Sequence, residues 1–71
     1  MDIRRETVLI IRSGRIFLYG RNTLGLLVWG NSKWDAWRTR IPAKAKSVQQ
    51  KVGGEIMLFN PISGQIRRAR I

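Results

Sequence analysis

Thr7-Val8-Leu9-Ile10-Ile11-Arg12, then Ser13-Gly14, then Arg15-Ile16-Phe17-Leu18-Tyr19 is the stretch on which the fold turns. Both runs are rich in β-branched and aromatic residues, whose bulk near the backbone suits a pleated strand better than a helix. Ser13-Gly14 supplies a tight reversal between them, because glycine enters the left-handed region without a Cβ clash. The stretch predicts an antiparallel hairpin, and every later segment has to be placed against it.

Working outward, Gly20 to Gly25 reads as an irregular connection, with Asn22 able to tolerate left-handed geometry. Leu26-Leu27-Val28-Trp29 then resumes as a third strand and completes a meander. Ser32-Lys33-Trp34-Asp35 has the spacing of a capped helical turn, in which the Ser32 oxygen accepts from the backbone and Asp35 reaches back. In such a turn Trp34 and Trp37, three apart, share one side, with Arg38 next to it and Arg40 beyond. Pro42 suits the first position of a helix, Ala43 to Val52 can continue it, and Gly53-Gly54 ends it. Ala45, Val48 and Val52 form its apolar stripe, while Lys44, Ser47 and Lys51 share another face. Glu55 to Phe59 returns to strand character, Asn60-Pro61-Ile62-Ser63-Gly64 reads as a turn, and Gln65 to Ile71 can form a closing strand. The expectation is one α+β domain over residues 1–71: a small antiparallel sheet of four to five strands with one short helix packed on it.

At 71 residues the chain sits near the lower end of what folds without disulfides or metals. A hydrophobic share of 44%, with three tryptophans, is nonetheless too rich for a disordered chain. Cysteine and histidine are both absent, which removes disulfides, Cys/His zinc sites and every His-based acid–base arrangement. No metal and no cofactor is expected. The longest apolar stretches, such as Val8–Ile11 and Leu24–Trp29, fall far short of the roughly 20 residues that span a bilayer. Met1-Asp2-Ile3-Arg4-Arg5-Glu6 is followed by too short an apolar run for a signal-peptide core, so the expected compartment is cytoplasmic.

Charge is the strongest compositional feature. Fourteen Lys and Arg against four Asp and Glu give a net charge of +10, and ten of the cations are Arg. Such an excess raises self-repulsion in the folded state. Arg presents a planar fork that grips phosphate at two points, whereas Lys is a hydrated point charge. The balance points to a phosphate-bearing partner, with solubility as the plainer use of the same charge.

The candidate nucleic-acid contacts are Arg12 and Arg15 at the hairpin tip, Arg21, Arg38, Arg40, and Arg67, Arg68 and Arg70 on the last strand. Strand alternation sends Arg67 to the opposite face from Arg68 and Arg70. Tyr19, Trp34 and Trp37, interleaved with these cations, are the candidate stacking groups. Core packing is the competing use of those aromatic rings. Lys44 and Lys51 offer a second basic surface on the helix. Nothing matches an RNP1 pattern, a Gly-x-x-Gly clamp or a zinc finger, so the partner is DNA or RNA without finer definition.

Catalysis has little to draw on. Asp2, Glu6, Asp35 and Glu55 are the four carboxylates, Asp35 is accounted for by capping or by Arg38, and Glu55 by a strand start near Lys51. The glycines mark turns and form no phosphate-loop fingerprint. No catalytic residue is assigned, and the expectation is that the protein is not an enzyme.

Trp34-Asp35-Ala36-Trp37-Arg38, the Ala43 and Ala45 helix, Val52-Gly53-Gly54-Glu55-Ile56 and Phe59-Asn60-Pro61 together resemble the second half of many short phage- and prophage-encoded proteins. The resemblance covers residues 34–64 and brings no catalytic residues with it. It implies two alternatives: direct nucleic-acid binding, or host-directed inhibition of the anti-CRISPR kind, in which the basic surface meets an acidic host protein or ribonucleoprotein complex. Attachment to an acidic membrane surface ranks last, because the helix lacks a bulky apolar face. The Leu24–Trp29 and Ile66–Ile71 strands could be sheet edges, which leaves a homo-oligomer open.

Overall fold

The computed structural model describes residues 7–70. Within them the opening hairpin forms with its tip one residue later than its sequence suggests. Strand β1 (Val8–Ser13) meets β2 (Ile16–Arg21) with Ser13 opposite Ile16, so Gly14 and Arg15 make the two-residue turn. Gly14 takes φ 61, the positive value that the first central position of such a turn demands. Arg15 consequently sits in the turn rather than at the start of β2.

Three further strands, β3 (Leu27–Gly30), β4 (Glu55–Phe59) and β5 (Ile66–Arg68), and one α-helix, α1 (Pro42–Val52), complete the regular structure. The sheet is antiparallel throughout, in the order β3-β2-β1-β4-β5, and α1 packs on β1 and β4. This is the α+β arrangement of a five-stranded sheet and one short helix that the sequence predicts. Proline opens α1, and beyond its end the Gly53 N–H donates to the Gln49 carbonyl at 2.7 Å.

Both faces of the sheet bury apolar side chains, the second with α1 over β1 and β4. Alternation along β1 directs Val8 and Ile10 to one face and Leu9 and Ile11 to the other. On the first face Ile10, Phe17, Met57 and Phe59 pack with Ala36 of the β3–α1 connection, and Val8, Tyr19 and Ile66 border them. On the second, Leu9 and Leu58 lie under Ala45 of α1, with Ile56 and Ala69 alongside. Leu9, Ile10 and Ile11 are each 0% exposed, which explains why the middle of β1 is an unbroken apolar run rather than an alternating one. Each such side chain contributes about 1.5–3 kcal/mol through burial.

The connection between β3 and α1 is tied into the sheet. β1 and β2 pair only near their turn. Farther along, Trp37 donates its N–H to the Leu18 carbonyl of β2 at 2.8 Å, and Thr39 exchanges hydrogen bonds of 2.8 and 3.0 Å with Leu9 of β1. Trp37–Thr39 thus bonds to both strands and satisfies backbone groups that they do not satisfy in each other.

Several local expectations are corrected. β2 runs on to Arg21 through an irregularity between Leu18 and Gly20 in its pairing with β3. Asn22 does not adopt a left-handed conformation; its Oδ1 accepts from the Leu24 and Leu26 N–H groups, and Gly25 takes the positive φ instead. The turn at Lys33–Asp35 is a single 3-10 turn without a side-chain cap, and the Ser32 N–H donates to the Tyr19 hydroxyl at 2.8 Å. β3 spans Leu27–Gly30 rather than Leu26–Trp29. The closing strand is shorter than the expected Gln65–Ile71: β5 ends at Arg68, and Ile71 lies outside the described residues, as do Asp2 and Glu6. Among the described residues no helix is long and apolar enough to cross a membrane.

Candidate nucleic-acid interface

The two candidate tryptophans go to opposite sides of the sheet, contrary to the shared side that their spacing suggests. The 3-10 turn stops after Asp35, and Ala36 is extended at φ −65, ψ 141. An extended residue reverses the direction of the side chains that follow, so the helical i, i+3 relation does not hold.

Trp34 stays on the first face. Its indole meets the buried Phe59 ring edge-on, with centroids 5.3 Å apart and planes at 75°. Gly64 lies against the indole, and a Cβ there would come within 3.1 Å of it. Trp34 nevertheless remains 52% exposed. Lys33 lies on one flank, with Nζ 5.7 Å from the indole centroid and donating to the Gly64 carbonyl. Arg38 is also held here: its Nη2 donates to the Trp34 carbonyl at 2.9 Å, and its guanidinium sits 5.6 Å from the Phe59 centroid. An anchored, half-open indole with two cations beside it can stack a base and hold its phosphates. Arg38 turns to this carbonyl rather than to Asp35.

Trp37 lies on the helix face, half-buried. Together with Leu18, Leu27, Val48 and Val52 it lines a groove of about 330 Å³ between α1 and the β2–β3 half of the sheet. Arg21, Lys44 and Lys51 also line this groove, and among the described residues no carboxylate does. Arg21 donates through Nη1 to the Gly25 carbonyl at 2.7 Å, which holds the arginine at the β2–β3 loop.

The remaining candidates are dispersed. Arg12 and Arg68 converge on Glu55, at 4.0 Å and 3.2 Å, so Glu55 answers these arginines rather than Lys51. Arg67 points to the opposite face from Arg68 and borders a small hollow with Thr7, Asn60 and Gln65. Arg15, Arg40 and Arg70 are exposed. Tyr19 serves the fold: its hydroxyl accepts from Ser32, and its ring lies so close over Gly30 that a Cβ there would fall 2.4 Å away.

The candidate arginines therefore divide among both faces, the hairpin tip and the C-terminal end, and Arg67 and Arg68 take opposite faces as strand alternation predicts. Two contributors were missed. Lys33 could have been found from its adjacency to Trp34, whereas Phe59 is recognisable as a support only once β4 is paired with β5. Among the described residues no three His, Cys, Asp or Glu side chains group as metal ligands. No family model, curated protein or solved structure matches this chain.

Proposed function

We propose that the protein is a non-enzymatic nucleic-acid-binding protein acting in the cytoplasm, with phosphates held by the arginines spread over its surface and a base stacked on Trp34. The observation that carries this reading is the half-exposed indole, fixed on Phe59 with Lys33 and Arg38 beside it, in a chain of net charge +10. Desolvating an indole against a base is worth about 1–3 kcal/mol, and every base offers a face for it.

The test is fluorescence anisotropy of labelled single- and double-stranded DNA and RNA, repeated over about 50–200 mM salt. Binding should fall linearly on a log–log plot. Replacing Arg67, Arg68 and Arg70 by Gln should flatten the slope, and Trp34→Ala should weaken single-strand binding about tenfold with little change in slope. No binding at the lowest salt would refute the reading.

A second reading has its own support. Among the described residues β3 is an edge strand whose residues carry no charge, and beside it Leu24 and Leu26 are 81% and 61% exposed. Such an edge accepts another strand. It favours a phage-encoded inhibitor that docks on an acidic host protein or ribonucleoprotein complex, or a homo-oligomer formed through the same edge. Retention by a purified nucleic-acid-free protein partner, insensitive to Trp34→Ala, would select it.

A further inference from the structure

The groove beside α1 has a ligand chemistry of its own. The helix packs on β1 and β4 and stops short of β2 and β3, so the outer half of that sheet face is left with an open hollow beside Trp37. Gly20, at φ 132, borders the hollow, and the space beside it is open: a Cβ there would meet nothing within 4 Å. The wall is an indole together with the aliphatic side chains of Leu18 and Val48, so the enclosed part of a ligand has to present apolar faces. Among the described residues the surrounding charge is Arg21, Lys44 and Lys51 without a carboxylate, which suits an anionic remainder of the ligand. A volume of about 330 Å³ admits one ring-sized group with its substituent and excludes a docked helix.

A flat apolar face joined to phosphates on either side describes one nucleotide unit. Lys44 and Lys51 are seven residues, and so about 10.5 Å, apart along the helix, and can address the phosphates on the two sides of a single base. A base inside a duplex has both faces stacked and cannot enter. We propose that the groove binds one unpaired nucleotide of single-stranded nucleic acid, its base against Trp37 and its flanking phosphates on Lys44 and Lys51. This rests on the nucleic-acid reading above and adds to it a second base site, on the opposite face from Trp34, together with a preference for single strands.

The experiment compares three probes on the full chain by anisotropy: a single strand of about ten nucleotides, an abasic strand of the same phosphate count, and a duplex. Val48→Phe, which fills the groove, should weaken the base-bearing strand about tenfold and leave the abasic strand and the duplex unchanged. Lys44→Gln with Lys51→Gln, both exposed and outside the core, should weaken the single strand and lower its salt slope by between one and two. Circular dichroism melts establish that Val48→Phe folds; should it not, the lysine pair and its slope decide. Wild-type affinity in the folded Val48→Phe variant, or an unchanged slope in the lysine pair, overturns this inference while leaving the Trp34 site standing. Failure of all three probes at the lowest salt overturns both.

Discussion

The two faces of the sheet are closed by different means. One is sealed by aromatic bulk and a few residues of connecting chain: Phe17 and Phe59 fill it, Ala36 closes over it, and Trp34 lies edge-on at its rim. The other is sealed by a helix that approaches closely because Ala45, 0% exposed, is the residue at the contact. A small side chain lets α1 sit tightly over β1 and β4, but an eleven-residue helix cannot also cover β2 and β3. The first face therefore offers a rigid platform, and the second a hollow. A domain of this size, with about 3–5 kcal/mol of stability to expect, has helix enough to cover only half of a face, and the uncovered half is where a ligand can enter.

The largest effect that would break this contrast comes from two neighbours in β4 that point to opposite faces. Phe59→Ala should cost about 3–5 kcal/mol, because the ring is fully buried and also supports Trp34 and Arg38, leaving the chain close to unfolded. Leu58→Ala should cost less, about 2–3 kcal/mol, since the change removes a smaller side chain, and Leu58 is 7% exposed and borders the small hollow beside Thr7 and Arg67. Urea denaturation of both variants measures the difference. Equal losses would mean that the two faces are equally tight where β4 meets them.

Gly30→Ala comes next. A methyl group there collides with the Tyr19 ring, which must swing away and surrender its bond to Ser32. The expected loss is about 1–3 kcal/mol, in the range of overpacked sites. The variant should also release the Ser32–Asp35 turn and with it the placement of Trp34, so single-strand affinity should fall alongside the melting temperature. A drop in stability with affinity intact would show that Trp34 is positioned by Phe59 and Gly64 alone.

How much of this was legible in the sequence depends on how local each determinant is. α1 was readable to its ends, because Pro42 and Gly53-Gly54 punctuate it and Ala45, Val48 and Val52 share one stripe. β1, β2 and β4 were readable because β-branched and aromatic residues crowd their runs. The turn at Ser32–Asp35 was misjudged, since its spacing suits a capping box while the backbone leaves the helical region at Ala36. That one extended residue sends Trp37 to the helix face, and no pattern within residues 32–38 announces it. The part played by Tyr19 was hidden for a similar reason: its partners, Gly30 at the end of β3 and Ser32 just beyond it, lie eleven or more residues away. The groove could not be read at all, because it is made by where the helix ends sideways, a matter of packing and not of periodicity.

The smallest effect sharpens the contrast from the other side. Glu55 lies on the platform face with Arg12 and Arg68 directed at it, and its side chain is 48% exposed. Exposed pairs of this kind are worth about 0–1 kcal/mol, so Glu55→Gln should leave the denaturation midpoint almost unmoved. It does, however, remove a negative charge from among cations and free two guanidinium groups for phosphate. If the bound strand crosses the platform face from Trp34 toward the hairpin tip, affinity should rise about twofold to threefold at low salt, and the salt slope should steepen by about one. If binding is confined to the groove on the helix face, neither quantity should move, because Glu55 and its arginines face away from it. The same anisotropy titration thus decides whether one strand is read by one face or by both.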